Sequence, residues 1–147
     1  MQTTWILAAD ASRARIFEFG GGDSALREIV DFQHPEGRAQ ERELVSDARG
    51  RRHGGNARQG NTSQPAKDAA QHEMEKFSRN VCAYLDDAQQ HHRFDELCVI
   101  APPTLLGVIR RQLSKETQQR VLSEIPRDVA WLDARQLEDY LTRGVIH

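Results

Sequence analysis

Thr4-Trp5-Ile6-Leu7-Ala8-Ala9 runs without an apolar–polar alternation into Asp10-Ala11-Ser12. A strand with one wet face alternates, whereas an uninterrupted apolar strand has both faces covered, so this stretch predicts a sheet with helices on its two sides. Asp10, Ala11 and Ser12 supply turn formers, and the strand should end near Asp10. Ala14 to Phe19 is again aromatic and β-branched, Gly20-Gly21-Gly22-Asp23 interrupts, and Leu26 to Phe32 resumes the pattern. Three successive strands with short connections predict an antiparallel meander.

Further along the chain the period changes. Ala70, Met74, Phe77, Val81, Tyr84 or Leu85, and Ala88 recur at spacings of three and four, which places one apolar stripe on a long helix. Leu97-Cys98-Val99-Ile100-Ala101 is a second fully apolar run, halted by Pro102-Pro103, which then start a helix. Leu105, Leu106, Ile109 and Leu113 form its inward face, with Arg110, Arg111 and Lys115 outward. Val121 to Trp131 holds branched residues around Pro126 and reads as an edge or interrupted strand. Asp133 with Gln136 forms a capping-box pattern for a last helix whose inward residues are Leu137, Tyr140 and Leu141. The order β-β-β-α-β-α-β-α predicts one α/β domain spanning 1–147, with three layers around a mixed five-stranded sheet.

The chain has 147 residues, with 20 Lys plus Arg against 22 Asp plus Glu. That length holds one modest core, and the near-neutral balance excludes a uniformly basic nucleic-acid binder. The apolar run Trp5 to Ala9 is too short for a signal-peptide core or a membrane span, so a cytoplasmic protein without membrane attachment is expected. Cys82 falls on the long helix and Cys98 in the second apolar strand, positions at which a thiol serves as a small buried apolar group.

Between Gln33 and Pro65 the periodicity fails and the composition turns to Gly, Arg, Gln, Asn and Ser. Segments of this length without regular structure are uncommon in compact domains and tend to be functional or disordered, so the stretch reads as a long basic loop at about 33–65. No acidic residue stands between Arg49 and Lys67. Arginine forks match phosphate oxygens, and glycine lets backbone amides approach closely. Arg49, Arg51, Arg52, His53, Gly54, Gly55, Asn56, Arg58 and Lys67 are therefore the candidate RNA-contacting set. A merely solvated basic loop is the competing account.

The strand succession also occurs in ribonuclease H-like domains, where clustered carboxylates hold two divalent metal ions about 4 Å apart. Asp10 stands where a first ligand would be, and Glu73 or Glu75 could supply another. The next strand, however, ends in Ala101-Pro102 without a carboxylate. Asp10 is more simply a turn residue accepting from the following amides. His34, His53, His72, His91, His92 and His147 show no paired ligand spacing, and read as solvated side chains. No metal site or cofactor is expected, and no Ser, His and Asp set is indicated by spacing.

Asp10-Ala11-Ser12-Arg13-Ala14-Arg15-Ile16-Phe17, His34-Pro35, Leu44-Val45-Ser46-Asp47 with Gly50-Arg51, Pro102-Pro103-Thr104-Leu105-Leu106-Gly107 and Glu124-Ile125-Pro126-Arg127-Asp128 together resemble the bacterial host attachment proteins. The resemblance covers nearly the whole chain. That family is in turn similar to the middle domain of archaeal and eukaryotic class 1 peptide-release factors and of Pelota, which share this order of elements. The similarity implies a ribonuclease H-like or release-factor-like fold and a partner among RNA, tRNA and ribosomes. In release factors a Gly-Gly-Gln triplet on a basic loop serves the peptidyl-transferase centre. Here Gly54-Gly55-Asn56 occupies a similar place, with Asn for Gln and a longer spacer to Ala66.

The leading expectation is a non-enzymatic cytoplasmic protein that engages RNA through the arginine-rich segment. A nuclease or peptidyl-tRNA hydrolase, and a protein-interaction module with an indirect role in attachment, are the alternatives.

Overall fold

The computed structural model describes residues 2–20, 25–34 and 59–142, the last span with side chains from Asp68 onward. Strands β1 (Thr4–Ala9), β2 (Arg13–Phe19) and β3 (Arg27–Gln33) precede the long helix α1 (Gln59–Gln90). Then follow β4 (Glu96–Ile100), α2 (Pro103–Gln112), α3 (Lys115–Gln119), β5 (Val121–Ile125) and α4 (Ala134–Tyr140). The strands form one open mixed sheet in the order β3-β2-β1-β4-β5. β1 pairs antiparallel with β2 and parallel with β4, so the first strand is central, and β4 carries β5 parallel on its far side.

Alternate residues of the central strands enter two separate cores. Trp5, Leu7 and Ala9 of β1, with Leu97 and Val99 of β4, pack against Phe77, Val81, Cys82, Leu85 and Ala88 of α1 and Leu105, Leu106 and Ile109 of α2. Ile6 and Ala8, with Cys98 and Ile100, face the other way onto Ile125, Val129, Leu137 and Leu141. The apolar run at Trp5 to Ala9 is thus covered on both sides, as its composition requires.

The boundaries depart from expectation in four places. Of the basic stretch expected as loop over 33–65, Gln33 belongs to β3 and α1 begins at Gln59, so Pro65 and Lys67 are helical, and 35–58 lie outside the described residues. Pro65 forfeits one helical N–H and no apolar period precedes Ala70, so the local sequence spoke for a break where the helix continues. The stretch Val121 to Trp131 is a strand only to Ile125, and Pro126 stands just beyond its end. Lys115 lies not on α2 but on the separate helix α3. That helix is capped by the Ser114 side chain accepting from Thr117 N, a signal masked by its neighbourhood of Gln and Lys. Finally, His34 is no solvated side chain: it is 13 % exposed, and its ring stacks on Phe77 with centroids 5.0 Å apart.

Candidate functional site

Parallel strands β1 and β4 lie side by side, but the chain leaving β1 turns back to β2 while the chain leaving β4 crosses toward β5. The two connections part at the carboxyl ends of these strands and leave a crevice, the usual ligand position in an open α/β sheet. A cleft of about 390 Å³ opens there, lined by Asp10, Ala11 and Ser12 of the β1–β2 turn, Met74 of α1, Pro102, Thr104 and Leu105 at the start of α2, and Asp128 beyond β5.

Each wall has a local cause. Asp10 N donates to Arg13 O at 2.8 Å and closes the turn, while the Asp10 carboxylate accepts from Ser12 N at 2.9 Å. This is the turn role expected of Asp10. Pro103 is the first residue of α2, where its fixed φ costs the helix nothing. Asp128 closes the Glu124–Asp128 stretch that carries the family resemblance, but the sequence alone does not make it a candidate site residue, because it follows Pro126-Arg127 in a stretch without period. The fold carries it to the same cleft as Asp10. Burial and, after it, the charge of Asp10 hold the Asp128 carboxyl above the ordinary carboxylate range, against a hydrogen bond from the Ala130 backbone.

The other carboxylates considered with Asp10 go elsewhere. Glu73 Oε2 stands 3.7 Å from His34 Nε2, an ion-pair distance longer than a hydrogen bond, and Glu75 contributes its backbone carbonyl to Gln112 at 3.0 Å. Among the described residues no three His, Cys, Asp or Glu side chains converge as metal ligands. Cys82 and Cys98 are both buried, as expected, and burial pushes the Cys82 thiol up to about 12. Arg49, Arg51, Arg52, His53, Gly54, Gly55, Asn56 and Arg58 lie outside the described residues, and so does the side chain of Lys67.

His34 N donates to Ser12 O at 2.7 Å, so the chain leaves β3 beside the cleft. It returns through α1, whose Met74 lines the cleft. A second, smaller dent of about 150 Å³ under the Arg110–Glu124 ion pair is walled mainly by Val99, Leu106, Ile109, Leu113 and Val121, and offers little chemistry.

Arg15 belongs to the Asp10–Phe17 stretch that carries the family resemblance, but the sequence alone assigns it no role at a site. Its guanidinium is buried on the second face of β2, bound to Glu28 at 2.6 and 2.9 Å, and it donates to the carbonyls of Ala130 and Leu132. It thereby ties the segment that carries Asp128 to the sheet.

A mixed open sheet with helices on both faces, and a crevice lined by Asp10, Ser12, Thr104 and Asp128 at its switch point, defines an open-sheet α/β domain. More particularly, the chain belongs to the family of proteins required for attachment to host cells, whose model matches residues 5–141. No curated protein matches the chain. Among the described residues no helix is long and apolar enough to cross a membrane.

Proposed function

We propose that this protein is a non-enzymatic, cytoplasmic member of the host attachment family that associates with RNA, on ribosomes or tRNA, through its basic segment. Its part in attachment is then indirect. The observation that carries this reading is one of composition: Arg49, Arg51, Arg52, Arg58 and Lys67 stand in one stretch without an acidic residue among them. Several guanidinium forks in so short a stretch suit a polyphosphate backbone. The strand order β3-β2-β1-β4-β5 supports kinship with the ribonuclease H-like and release-factor middle-domain plan. Fold kinship alone does not transfer activity.

Replacing Arg49, Arg51, Arg52 and Arg58 together by Ala tests the reading. Neutralising about four phosphates gives the wild type a log-log salt slope of roughly -3 on single strands, and the variant should lose most of it with an unchanged melting temperature. Equal affinity and slope in both proteins would remove the segment as the contact. Capture of partners from lysate with and without ribonuclease separates RNA from protein association, and cell fractionation tests the cytoplasmic location.

A hydrolytic reading is favoured by one observation, the meeting of Asp10 and Asp128 in the cleft. Labelled RNA incubated with Mg2+ or Mn2+ decides it. Cleavage that disappears in Asp10→Asn and in Asp128→Asn would replace the non-enzymatic reading, whereas intact RNA supports it.

A further inference from the structure

β5 ends the sheet, so one long side of Val121–Ile125 has no neighbouring strand among the described residues. The register decides which of its backbone groups face outward. Leu97 lies against Val121 and its N–H donates to Arg120 O at 2.8 Å, while Val99 lies against Glu124 and Ala101 N donates to Ile125 O at 3.1 Å. In a parallel pair, residues bonded to the neighbouring strand alternate with residues turned away from it. Val121, next to the bonded Arg120, and Glu124, next to the bonded Ile125, therefore turn their N–H and C=O groups outward. Leu122 is the residue the register skips between Leu97 and Cys98, a bulge that leaves both outward residues on the α2 face: Val121 packs against the core beneath α1 and α2, and Glu124 pairs with Arg110. The opposite edge strand, β3, carries exposed Arg27, Glu28 and Asp31, charges of the kind that guard an edge from pairing. β5 has only Glu124, already neutralised by Arg110, and beside it Leu122 at 61 % exposure.

We propose that β5 pairs antiparallel with β5 of a second copy of this chain across a two-fold axis, joining the two sheets into one. With the axis between Leu122 and Ser123, Val121 of each copy stands opposite Glu124 of the other, and each such pair exchanges both hydrogen bonds. Opposite residues of an antiparallel pair share a face, and these two already do. The same rotation brings the two exposed Leu122 residues together at the axis and sets exposed Arg120 of each copy beside Glu124 of the other. The stretch Arg120-Val121-Leu122-Ser123-Glu124 is thus complementary to itself in backbone, apolar surface and charge, a match that an arbitrary extended peptide lacks. The inference is independent of RNA binding.

Sedimentation equilibrium of the full chain over a concentration series tests this. We expect a monomer–dimer equilibrium. Leu122→Lys puts two ammonium groups near the axis and should raise the dissociation constant about tenfold, with an unchanged circular dichroism spectrum. Arg120→Glu should raise it too, and by more at low salt than at high salt. Cys82 and Cys98 are buried, so Leu122→Cys supplies an exposed thiol without competition. Mild oxidation should link that variant into a disulfide dimer, whereas Trp131→Cys, equally exposed but off the strand, should stay unlinked. A wild type that is monomeric at every concentration overturns the proposal. So does a dimer whose dissociation constant changes less than twofold in Leu122→Lys, or one that Leu122→Cys fails to link, because that dimer is built on another face.

Discussion

Arg15 shows how one side chain sets the position of others far away in sequence. A guanidinium at 5 % exposure is tolerable because Glu28 and two carbonyls accept four hydrogen bonds from it. Arg15→Ala removes the donor to the Ala130 and Leu132 carbonyls and frees the 130–132 segment, while Glu28 stays open to solvent; urea unfolding should show a loss of about 2 kcal/mol, and Arg15→Lys should recover only part of it. An unchanged midpoint in Arg15→Ala would mean that the clamp adds nothing. Asp128 gives a prediction of opposite sign. Its carboxyl is raised above 3.8 by burial and by Asp10, so between that value and the raised one the folded chain holds more protons than the unfolded chain, and stability falls as pH rises. Asp128→Asn abolishes this loss while keeping an acceptor for Ala130 N. Its melting temperature should exceed that of the wild type at pH 7, and the gain should vanish below about pH 3. A gain that is the same at both pH values would show that charge is not its origin. Asp10 was legible as a turn former because its function is local. Asp128 and Arg15 were not, because their significance lies in contacts made across 100 or so residues.

At the scale of elements, the helices differ in what holds them. α4 has only seven residues, too few to persist alone, and is fixed by burial of Leu137 and by a complete capping box between Asp133 and Gln136. Asp133→Ala should cost about 1 kcal/mol by urea unfolding, with Gln136→Ala costing less, and a double variant no worse than Asp133→Ala plus a few tenths. Equal stability of Asp133→Ala and wild type would show that packing of Leu137 suffices. The cap and its inward residues were readable because both signals are short-range. In α1 the stripe from Ala70 onward was equally plain, and the helix found there runs on to Gln90. Its first eleven residues were not legible, since Gly60, Asn61, Ser63 and Pro65 favour breaks and no buried period recommends a helix. The basic residues' composition was visible at once, but composition names a chemistry without a place, and Arg49 to Arg58 lie outside the described residues.

For the molecule as a whole, the two cores are not independent, because both are built on alternate residues of the same two strands, β1 and β4. Unfolding should therefore be one cooperative event: urea transitions followed by Trp5 emission and by far-ultraviolet circular dichroism should coincide. Separate midpoints would show that one helical layer detaches first. The order of elements foretold three layers and a mixed sheet, since each later strand must return through a helix, but the neighbour relation β1–β4 had no local mark. That relation carries a cost in time. Thr4 pairs with Glu96, so the strand made first waits for a partner made 92 residues later. At about 5–20 residues per second, the nascent chain carries an apolar ribbon with one side unmatched for roughly 5–20 s. Its hairpin with β2 can close early; its other edge cannot, and in that interval it is a template for any extended segment nearby. The slower the synthesis, the longer the exposure of a strand that, once the chain is complete, has five of its six residues buried.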